Sequence, residues 1–193
     1  MFQIELSAGS VTLSGRMTSD DETLWALRAQ CGDREALEHL LRSVQPTLRR
    51  YVRRLVGTAD ADDVVQDVLV TIARNVVWLV EPRLFRPWAF RIASRASFSH
   101  LRRVRRRGVQ ESADEVLASL QALEPAPDAA LLSELLDGDV LSPASRAVLV
   151  LHFQEEMQLD EVAAVLEIPL GTVKSRLAYG LKTLRQYLSQ KRS

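Results

Sequence analysis

The residues of this chain best suited to binding chemistry are arginines interleaved with aromatic side chains. The segment 83–107 has nine arginines and no acidic residue, and Trp88, Phe90 and Phe98 lie among these cations. Arginines attract phosphates and flat rings stack on unpaired bases, so the segment favours binding of single-stranded nucleic acid. We expect Trp88 to contact the nucleic acid. Phe90, Phe98 and Trp78 are expected to pack in the core.

A second candidate binding segment lies near the C-terminus, over residues 159–184. A helix over 160–166, a turn at 167–169 and a second helix from Leu170 form a helix-turn-helix pattern. The residues predicted to face outward on the second helix are Thr172, Lys174, Ser175, Arg176, Tyr179 and Lys182. Hydroxyls and cations at the start of such a helix suit phosphates and base edges in a DNA major groove. An ordinary helical hairpin with a solvated basic face would have the same composition.

Charge is distributed very unevenly along the chain. The net charge is zero, from 25 basic and 25 acidic residues, but the segment 108–142 has eight acids and no lysine or arginine. Pro125 and Pro127 interrupt this segment, which has no strong helical period. We interpret residues 108–141 as a flexible linker. It is either a tether that mimics a nucleic acid or a solvated spacer.

No motif for catalysis or for a bound cofactor stands out in the sequence. The histidines His39, His100 and His152 do not have metal-ligand spacing, and no glycine-rich phosphate loop or nucleophile motif is found. A single cysteine, Cys31, cannot form an internal disulfide. Neither a long apolar run nor a signal-peptide pattern is found. We therefore expect a cytoplasmic, non-enzymatic protein that has no cofactor or metal and does not insert into a membrane.

Helix-start and helix-stop signals predict four helices in the N-terminal half. Asp33 is a predicted N-cap for the second helix, Pro46 is expected to interrupt that helix, and Gly57 should end it. A third helix is expected from about Ala61. A loop over 81–87 then leads into a fourth helix that carries the arginines.

In the C-terminal half, Ser142 followed by Pro143 is a strong helix start, with an N-cap and a proline at the first helical position. The expected fold is therefore all-α. It has a disordered leader over 1–18, a helical bundle over 19–107, the acidic linker over 108–141, and a helix-turn-helix domain over 142–193.

The C-terminal segment resembles region 4 of the extracytoplasmic-function sigma factors, which are small two-domain transcription initiation factors of bacteria. The usual family pattern is I-P-x-G-T-V-K-S-R, and residues 168–176 read IPLGTVKSR. This resemblance implies that the second helix enters the major groove of the minus-35 promoter element. It implies minus-35 contacts for the six outward-facing residues from Thr172 to Lys182.

The N-terminal half independently resembles region 2 of the same family. Residues 32–37 look like its opening helix-turn, residues 60–67 read DADDVVQD, similar to D-x-[DE]-D-x-x-Q-[DE], and residues 85–93 read FRPWAFRIA, similar to F-R-x-W-[LF]-x-R-I-A. The resemblance implies that one helix docks on RNA polymerase through Asp62, Asp63, Gln66 and Asp67. It also implies a surface for the minus-10 element, formed by Arg83, Arg86, Trp88, Arg91, Arg95, Arg102 and Arg103.

The sequence departs from the family pattern just after residue 93. Relatives continue R-I-A-R-N-x-x-x-D-x-x-R, but Ser94 and Arg95 stand here where Arg and Asn are usual, and Ser99 stands where Asp is usual. Asparagine offers both a donor and an acceptor, whereas arginine offers only donors and a fixed charge. We therefore expect a minus-10 preference unlike that of relatives with Asn, or a weaker preference with stronger general DNA affinity.

These patterns together predict a sigma factor that binds RNA polymerase core and directs it to promoter DNA. The resemblance also makes an anti-sigma factor an expected partner. One alternative is an ordinary helix-turn-helix regulator, which would bind operators as a symmetric dimer without being a polymerase subunit. The other alternative is a protein that only binds other proteins, in which the basic segment is a solvated face.

Overall fold

The computed structural model describes residues 19–107, 135, 136, 138 and 140–191. Their seven helices are α1 (Ser19–Gln30), α2 (Arg34–Val56), α3 (Thr58–Asn75), α4 (Phe85–Arg107), α5 (Pro143–Phe153), α6 (Leu159–Leu166) and α7 (Leu170–Lys191). No strand occurs in this described part of the chain, and the all-α prediction is confirmed. The leader and most of the linker lie outside the described residues.

Local capping determines where α2 begins and ends. The Asp33 side chain accepts a hydrogen bond of 3.1 Å from the Ala36 N–H, as predicted. Gly57, with φ of 87°, ends the helix and donates its N–H to the Arg53 carbonyl. Pro46, predicted to interrupt and kink this helix, lies inside α2, which runs without a break from Arg34 to Val56; the kink stays a prediction. Pro46 is exposed, and the buried apolar face of α2 packs against the core on both sides of Pro46, which keeps the backbone helical there.

The connection from α3 to α4 contains two short 3-10 turns, Val76–Trp78 and Pro82–Leu84. Gln30 of α1 holds this connection, since its side-chain amide donates to the carbonyls of Val76 at 3.2 Å and Leu79 at 2.5 Å. The helix α4 begins at Phe85, so its start lies inside the predicted loop.

The core of the N-terminal half is centred on α2 and α4. Tyr51 and Phe90 are fully buried and pack edge to face, with ring centroids 5.3 Å apart. The Tyr51 hydroxyl and the Ser94 hydroxyl are 2.7 Å apart. Burial raises the pKa of Tyr51, although the Ser94 hydroxyl partly opposes this. The prediction that Phe90 belongs to the core is confirmed, and Phe98 packs against it.

Three helices form the C-terminal half. Ser142 accepts a hydrogen bond of 3.2 Å from the Ser145 N–H and Pro143 follows it, as the sequence predicted. Gly180 allows α7 to cross α5 closely, because a Cβ on Gly180 would lie 2.8 Å from Leu149 Cδ1. A larger residue at position 180 would therefore require the buried Leu149 side chain on α5 to shift.

The two halves pack against each other, with α4 in contact with α6 and α2 in contact with α5. Leu135, Leu136 and Leu141, which lie in the predicted linker, are buried. The end of that segment therefore contributes apolar side chains to the core. None of the described helices combines the length and the apolar character that crossing a membrane requires.

Candidate nucleic-acid interface

The predicted minus-10 arginines lie on α4 and on the turn just before it. Arg83, Arg95, Arg102 and Arg103 are exposed, while Arg91 is half-buried. The α4 segment that carries them has no acid, so its exposed guanidinium groups give this side of the molecule a positive field.

Arg86 has a different environment from the other arginines. Its guanidinium lies 2.5 Å from a Glu22 carboxylate oxygen and 3.6 Å from one of Glu155, and only 26% of its side chain is exposed. In this conformation Arg86 joins α1 and α4 to the segment after α5. A minus-10 contact from Arg86 stays a prediction.

Arg95 makes an ion pair with Glu167, which lies in the turn of the helix-turn-helix. Its Nε donates to Glu167 Oε2 at 2.7 Å, and its Nη2 donates to Oε1. The hydrogen bond from Arg95 lowers the pKa of Glu167 and raises the pKa of Arg95, and the charge of Arg91 further lowers the pKa of Glu167. Nothing in the sequence signalled this contact, because the two residues are 72 positions apart.

Trp88 and Arg91 are both half-buried on α4. The Trp88 ring is half-buried and lies 6.2 Å from the Phe85 ring, at an interplanar angle of 45°. The Nε of Arg91 is buried and has no hydrogen-bond partner among the described residues. A buried donor that lacks a partner is costly, so the Arg91 Nε carries a desolvation cost in this arrangement.

The prediction that Trp78 packs in the core is wrong. Its side chain is 77% exposed, and its neighbours Val77 and Val80 are also exposed, Val80 to 98%. These residues form an apolar surface patch, the Trp78 patch, on the connection between α3 and α4. The sequence carried a signal for this exposure, because Trp78 lies in the connection after α3 and shortly before Pro82, and not within a helix that packs in the core.

The start of α7 carries the predicted minus-35 residues. Lys174, Tyr179 and Lys182 are exposed, and Thr172 and Arg176 are half-buried. The predicted outward orientation of Ser175 is wrong, because Ser175 is buried and its hydroxyl donates to the Thr172 carbonyl at 3.0 Å. Its short side chain lies on the packed side of α7 together with Val173 and Leu177.

The predicted polymerase-docking residues lie on α3. Asp62, Asp63, Gln66 and Asp67 are all exposed. Asp62 forms a surface ion pair with Arg49 of α2, at 2.8 Å. The structure therefore brings the four side chains onto the solvent side of one helix, where a protein partner could reach them.

No cluster of histidine, cysteine, aspartate and glutamate able to hold a metal ion occurs within the described ranges. His39 stacks on Trp25 with ring centroids 4.7 Å apart, and Cys31 is exposed. The chemistry available to the described surfaces is therefore that of cations, hydroxyls, carboxylates and exposed rings.

Two family models match the two halves of the chain separately. The model for "Sigma-70 region 2" matches residues 40–107, and the model for "Sigma-70, region 4" matches residues 139–186. The first range contains α3 and α4, and the second contains α5, α6 and most of α7. Each candidate surface therefore lies within one matched range.

Two curated bacterial proteins are similar to most of this chain. The ECF RNA polymerase sigma factor SigE of Mycolicibacterium smegmatis is 30% identical over 185 residues, which cover 89% of this chain and 70% of that protein. The RNA polymerase sigma-E factor of Streptomyces avermitilis is 35% identical over 167 residues, which cover 80% of this chain and 86% of that protein.

Solved structures give the same fold. The structure of CnrH in complex with the cytosolic domain of CnrY matches with a TM-score of 0.64 at 24% identity, and covers 89% of this chain and 99% of CnrH. The sigma factor RpoE of Bartonella quintana, in complex with the anti-sigma factor NepR, matches with a TM-score of 0.61 at 25% identity, covering 79% of this chain and 96% of RpoE.

Proposed function

The chain belongs to the extracytoplasmic-function sigma factors, and from this premise we propose how its surfaces divide the recognition of a promoter. As a transcription initiation factor, it binds RNA polymerase core and directs it to promoter DNA. We assign the minus-10 element to the unit 19–107 and the minus-35 element to the unit 142–193, with 108–141 as their connection. The observation that carries this division is that α4 and α7 each present a cationic surface within a separately matched range.

For the minus-10 element, exposed arginines would hold the backbone of the melted strand while exposed rings stack on its bases. The exposed arginines with this role are Arg83, Arg95, Arg102 and Arg103, and we assign Arg91, which is half-buried on α4, to the same surface. We add the Trp78 patch to this surface, because the ring of Trp78 is more exposed than that of Trp88, the other candidate for stacking. Stacking on an aromatic ring contributes roughly 1–3 kcal/mol per base. Trp88 then supports the surface by packing on Phe85, in addition to any contact with DNA.

For the minus-35 element, the start of α7 would enter the major groove. Lys174, Lys182 and Arg176 supply cations for phosphates and base edges, and Thr172 and Tyr179 supply hydroxyls. Ser175 fits a supporting role, because its buried hydroxyl is bonded within the helix. The exposed backbone at Gly171 leaves space for DNA to approach closely.

For polymerase binding, we assign the exposed face of α3 with Asp63 and Gln66 at its centre and Asp62 and Asp67 beside them. Carboxylates on an exposed helix suit a cationic partner surface. Truncating one partner of a buried charged pair at an interface costs about 2–5 kcal/mol. Asp63→Lys with Gln66→Ala should therefore weaken the complex with core polymerase strongly.

The test is gel filtration of the chain with core polymerase, followed by run-off transcription. Wild type should co-elute with core and support a specific transcript, and the variant with Asp63→Lys and Gln66→Ala should do neither. Glu35→Lys with Gln45→Ala is a matched control, since it changes an exposed acid and an exposed glutamine on α2. A wild-type chain that binds operator-like DNA without core would support the helix-turn-helix regulator instead.

We also infer that the chain works in the cytoplasm, where core polymerase and the chromosome are, and that it has no catalytic activity of its own. An anti-sigma factor is a further proposed partner, supported by the complex of RpoE of Bartonella quintana with NepR.

A further inference from the structure

The side chains of the Trp78 patch do not hold the patch in place. Val77, Trp78 and Val80 are 51%, 77% and 98% exposed, so their own packing contributes little to where they point. Val76 and Leu79, on either side of Trp78, are buried. The position of the Trp78 ring therefore depends on how the backbone at these two buried residues is held.

Gln30, the last residue of α1, holds that backbone. Its side-chain amide nitrogen donates to the Val76 carbonyl at 3.2 Å and to the Leu79 carbonyl at 2.5 Å. An amide nitrogen carries two hydrogens, so these two bonds use both of them, and carbonyl oxygens can only accept. One side chain thus fixes both ends of the short turn that carries Trp78 to the end of α1.

The end of α1 is itself held firmly. Gly32, with φ of 88°, donates its N–H to the Ala29 carbonyl at 3.0 Å, and the Asp33 N–H donates to the Arg28 carbonyl at 3.1 Å. The Arg28 Nε also donates to the Asp33 carboxylate at 2.8 Å. These bonds fix the direction in which the Gln30 side chain leaves the helix, so its amide is a preorganised donor.

The turn itself contributes weaker support. The Leu79 N–H donates to the Val76 carbonyl at 3.1 Å, and in the next turn the Leu84 N–H donates to the Glu81 carbonyl at 2.9 Å. Both are 3-10 bonds between residues three apart, whose geometry is poorer than that of α-helical bonds. The two bonds from Gln30 come from outside the turn, and they join it to a longer helix that packs against both 3-10 turns.

We propose that Gln30 is a positioning residue for the minus-10 element, which holds the turn 76–79 so that the Trp78 ring meets an unpaired base of the melted strand. This inference rests on the proposed function, because it uses the assignment of the Trp78 patch to the minus-10 surface. A preorganised turn loses less conformational freedom when DNA binds. Without Gln30, only a fraction of the molecules has the turn in the binding conformation, and the affinity falls by that fraction.

The test measures binding of a labelled minus-10 single strand to holoenzyme, formed from core polymerase and the full chain, by fluorescence anisotropy. Gln30→Leu removes the amide but keeps a side chain of similar size, and it should weaken binding about fivefold. Gln45→Leu, which changes an exposed glutamine on α2, is the matched control and should bind the strand like wild type. Both variants should co-elute with core.

Two further readouts separate positioning from a general loss of stability. In a Trp78→Ala background, Gln30→Leu should cause no further loss of strand binding, because the ring that it positions is absent. In the free chain, amide hydrogen exchange over residues 76–84 should be faster in Gln30→Leu than in wild type, while exchange in α2 stays unchanged. A residue with a merely structural role would weaken binding equally in both backgrounds and speed exchange throughout the N-terminal unit.

Unchanged strand affinity in Gln30→Leu, equal losses with and without the Trp78 ring, or unchanged exchange over 76–84 would each overturn the proposal. If Gln30→Leu does not co-elute with core, Gln30→Asn takes its place. Its amide stays polar but is one methylene shorter, so it should not hold both carbonyls and should show the same loss.

The Trp78→Ala protein distinguishes the positioning role from the proposed function. If Trp78→Ala weakens strand binding but Gln30→Leu does not, the assignment of the Trp78 patch stands and only the positioning role fails. If Trp78→Ala binds the strand like wild type, the assignment of the patch fails, and the role of Gln30 fails with it.

Discussion

Among single residues, Trp78 makes the sharpest prediction about promoter melting. Its ring is 77% exposed, so Trp78→Ala should change the free energy of unfolding by less than about 0.5 kcal/mol. Binding of the holoenzyme to a labelled minus-10 single strand should weaken by about 1–3 kcal/mol, because a stacking surface is lost. Fluorescence anisotropy measures that affinity. Trp78→Phe, which keeps a flat ring, should retain most of the affinity for the single strand. Equal affinity in wild type, Trp78→Ala and Trp78→Phe would mean that Trp78 is not part of the minus-10 surface.

Glu167 predicts how the packing of the two halves against each other depends on pH. Arg95 and Arg91 face its carboxylate from α4 and lower its pKa below the ordinary value of about 4.3. A carboxyl with a lowered pKa stabilises the packed arrangement of the two halves above that ordinary value, and the contribution is lost as the pH falls through the lowered pKa. With spin labels at Gln45→Cys on α2 and Gln186→Cys on α7, both exposed positions, in a Cys31→Ser background, the distance between the labels should thus stay short at neutral pH and lengthen in acid below about pH 4.

The matched protein for this titration is Glu167→Gln, which has no carboxyl at the turn. It should show a smaller acid-dependent change in the distance than wild type. Parallel titration curves for the two proteins would mean that Glu167 does not contribute to the packing of the two halves.

Residues whose roles follow from local chemistry were predicted well from the sequence, and residues whose roles depend on distant partners were not. Asp33 and Ser142 cap helices through N–H groups three positions away, so their sequence context was sufficient. The burial of Ser175 depends on how α7 rotates against its neighbours. The contact between Arg95 and Glu167 joins residues 72 positions apart, which no local pattern encodes.

At the scale of the helices, α7 contains a matched pair of glycines that tests how it packs. A Cβ at Gly180 would lie 2.8 Å from Leu149 Cδ1, whereas a Cβ at Gly171 would meet nothing within 4 Å. Gly180→Ala should therefore destabilise the protein by about 1–3 kcal/mol through overpacking. Gly171→Ala should be neutral or slightly stabilising, because alanine favours helix.

Urea unfolding measures both changes in the free energy of unfolding. An equal effect of the two substitutions would mean that α5 and α7 do not approach each other at Gly180. Unfolding curves for both variants should be compared at the same protein concentration, together with wild type.

The exposed cations of α7 make a separate prediction about salt. If Lys174 contacts a phosphate, Lys174→Ala should lower the slope of log affinity against log salt concentration by about 1. Lys191, at the last position of α7, is exposed but far along the helix from the turn, so Lys191→Ala is the control. Titrations of minus-35 duplex DNA at several salt concentrations give both slopes, and an unchanged slope for Lys174→Ala would remove that contact.

The sequence predicted the all-α class and most helix positions, because apolar periodicity and caps act within a few residues. Pro46 lies inside α2 although proline disfavours a helix interior, because burial of α2 on either side outweighs that local preference. The start of α4 at Phe85, two residues before Pro87, was also not predicted. The Phe85 ring is buried, and its packing in the core holds the residues before Pro87 in the helix.

For the whole molecule, the closed packing of the two halves was not predictable from either half alone. No local sequence pattern indicated a partner for Glu155 or Glu167. In the fold, Glu155 is buried between Arg50 and Arg86. Removing one partner from a buried ion pair typically costs about 3–5 kcal/mol, but separation of the two units would rehydrate the arginines and limit that loss.

The central claim, that two separate surfaces recognise the two promoter elements, is tested most directly by promoter selection. A DNA library randomised at both elements is selected by core polymerase with wild type, with Trp78→Ala, or with Lys174→Ala and Arg176→Ala together. Wild type should select two sequence blocks at a fixed spacing. Trp78→Ala should weaken only the downstream block, and the double substitution on α7 should weaken only the upstream block. Loss of the same block in both variants, or of neither block, would contradict the division between α4 and α7.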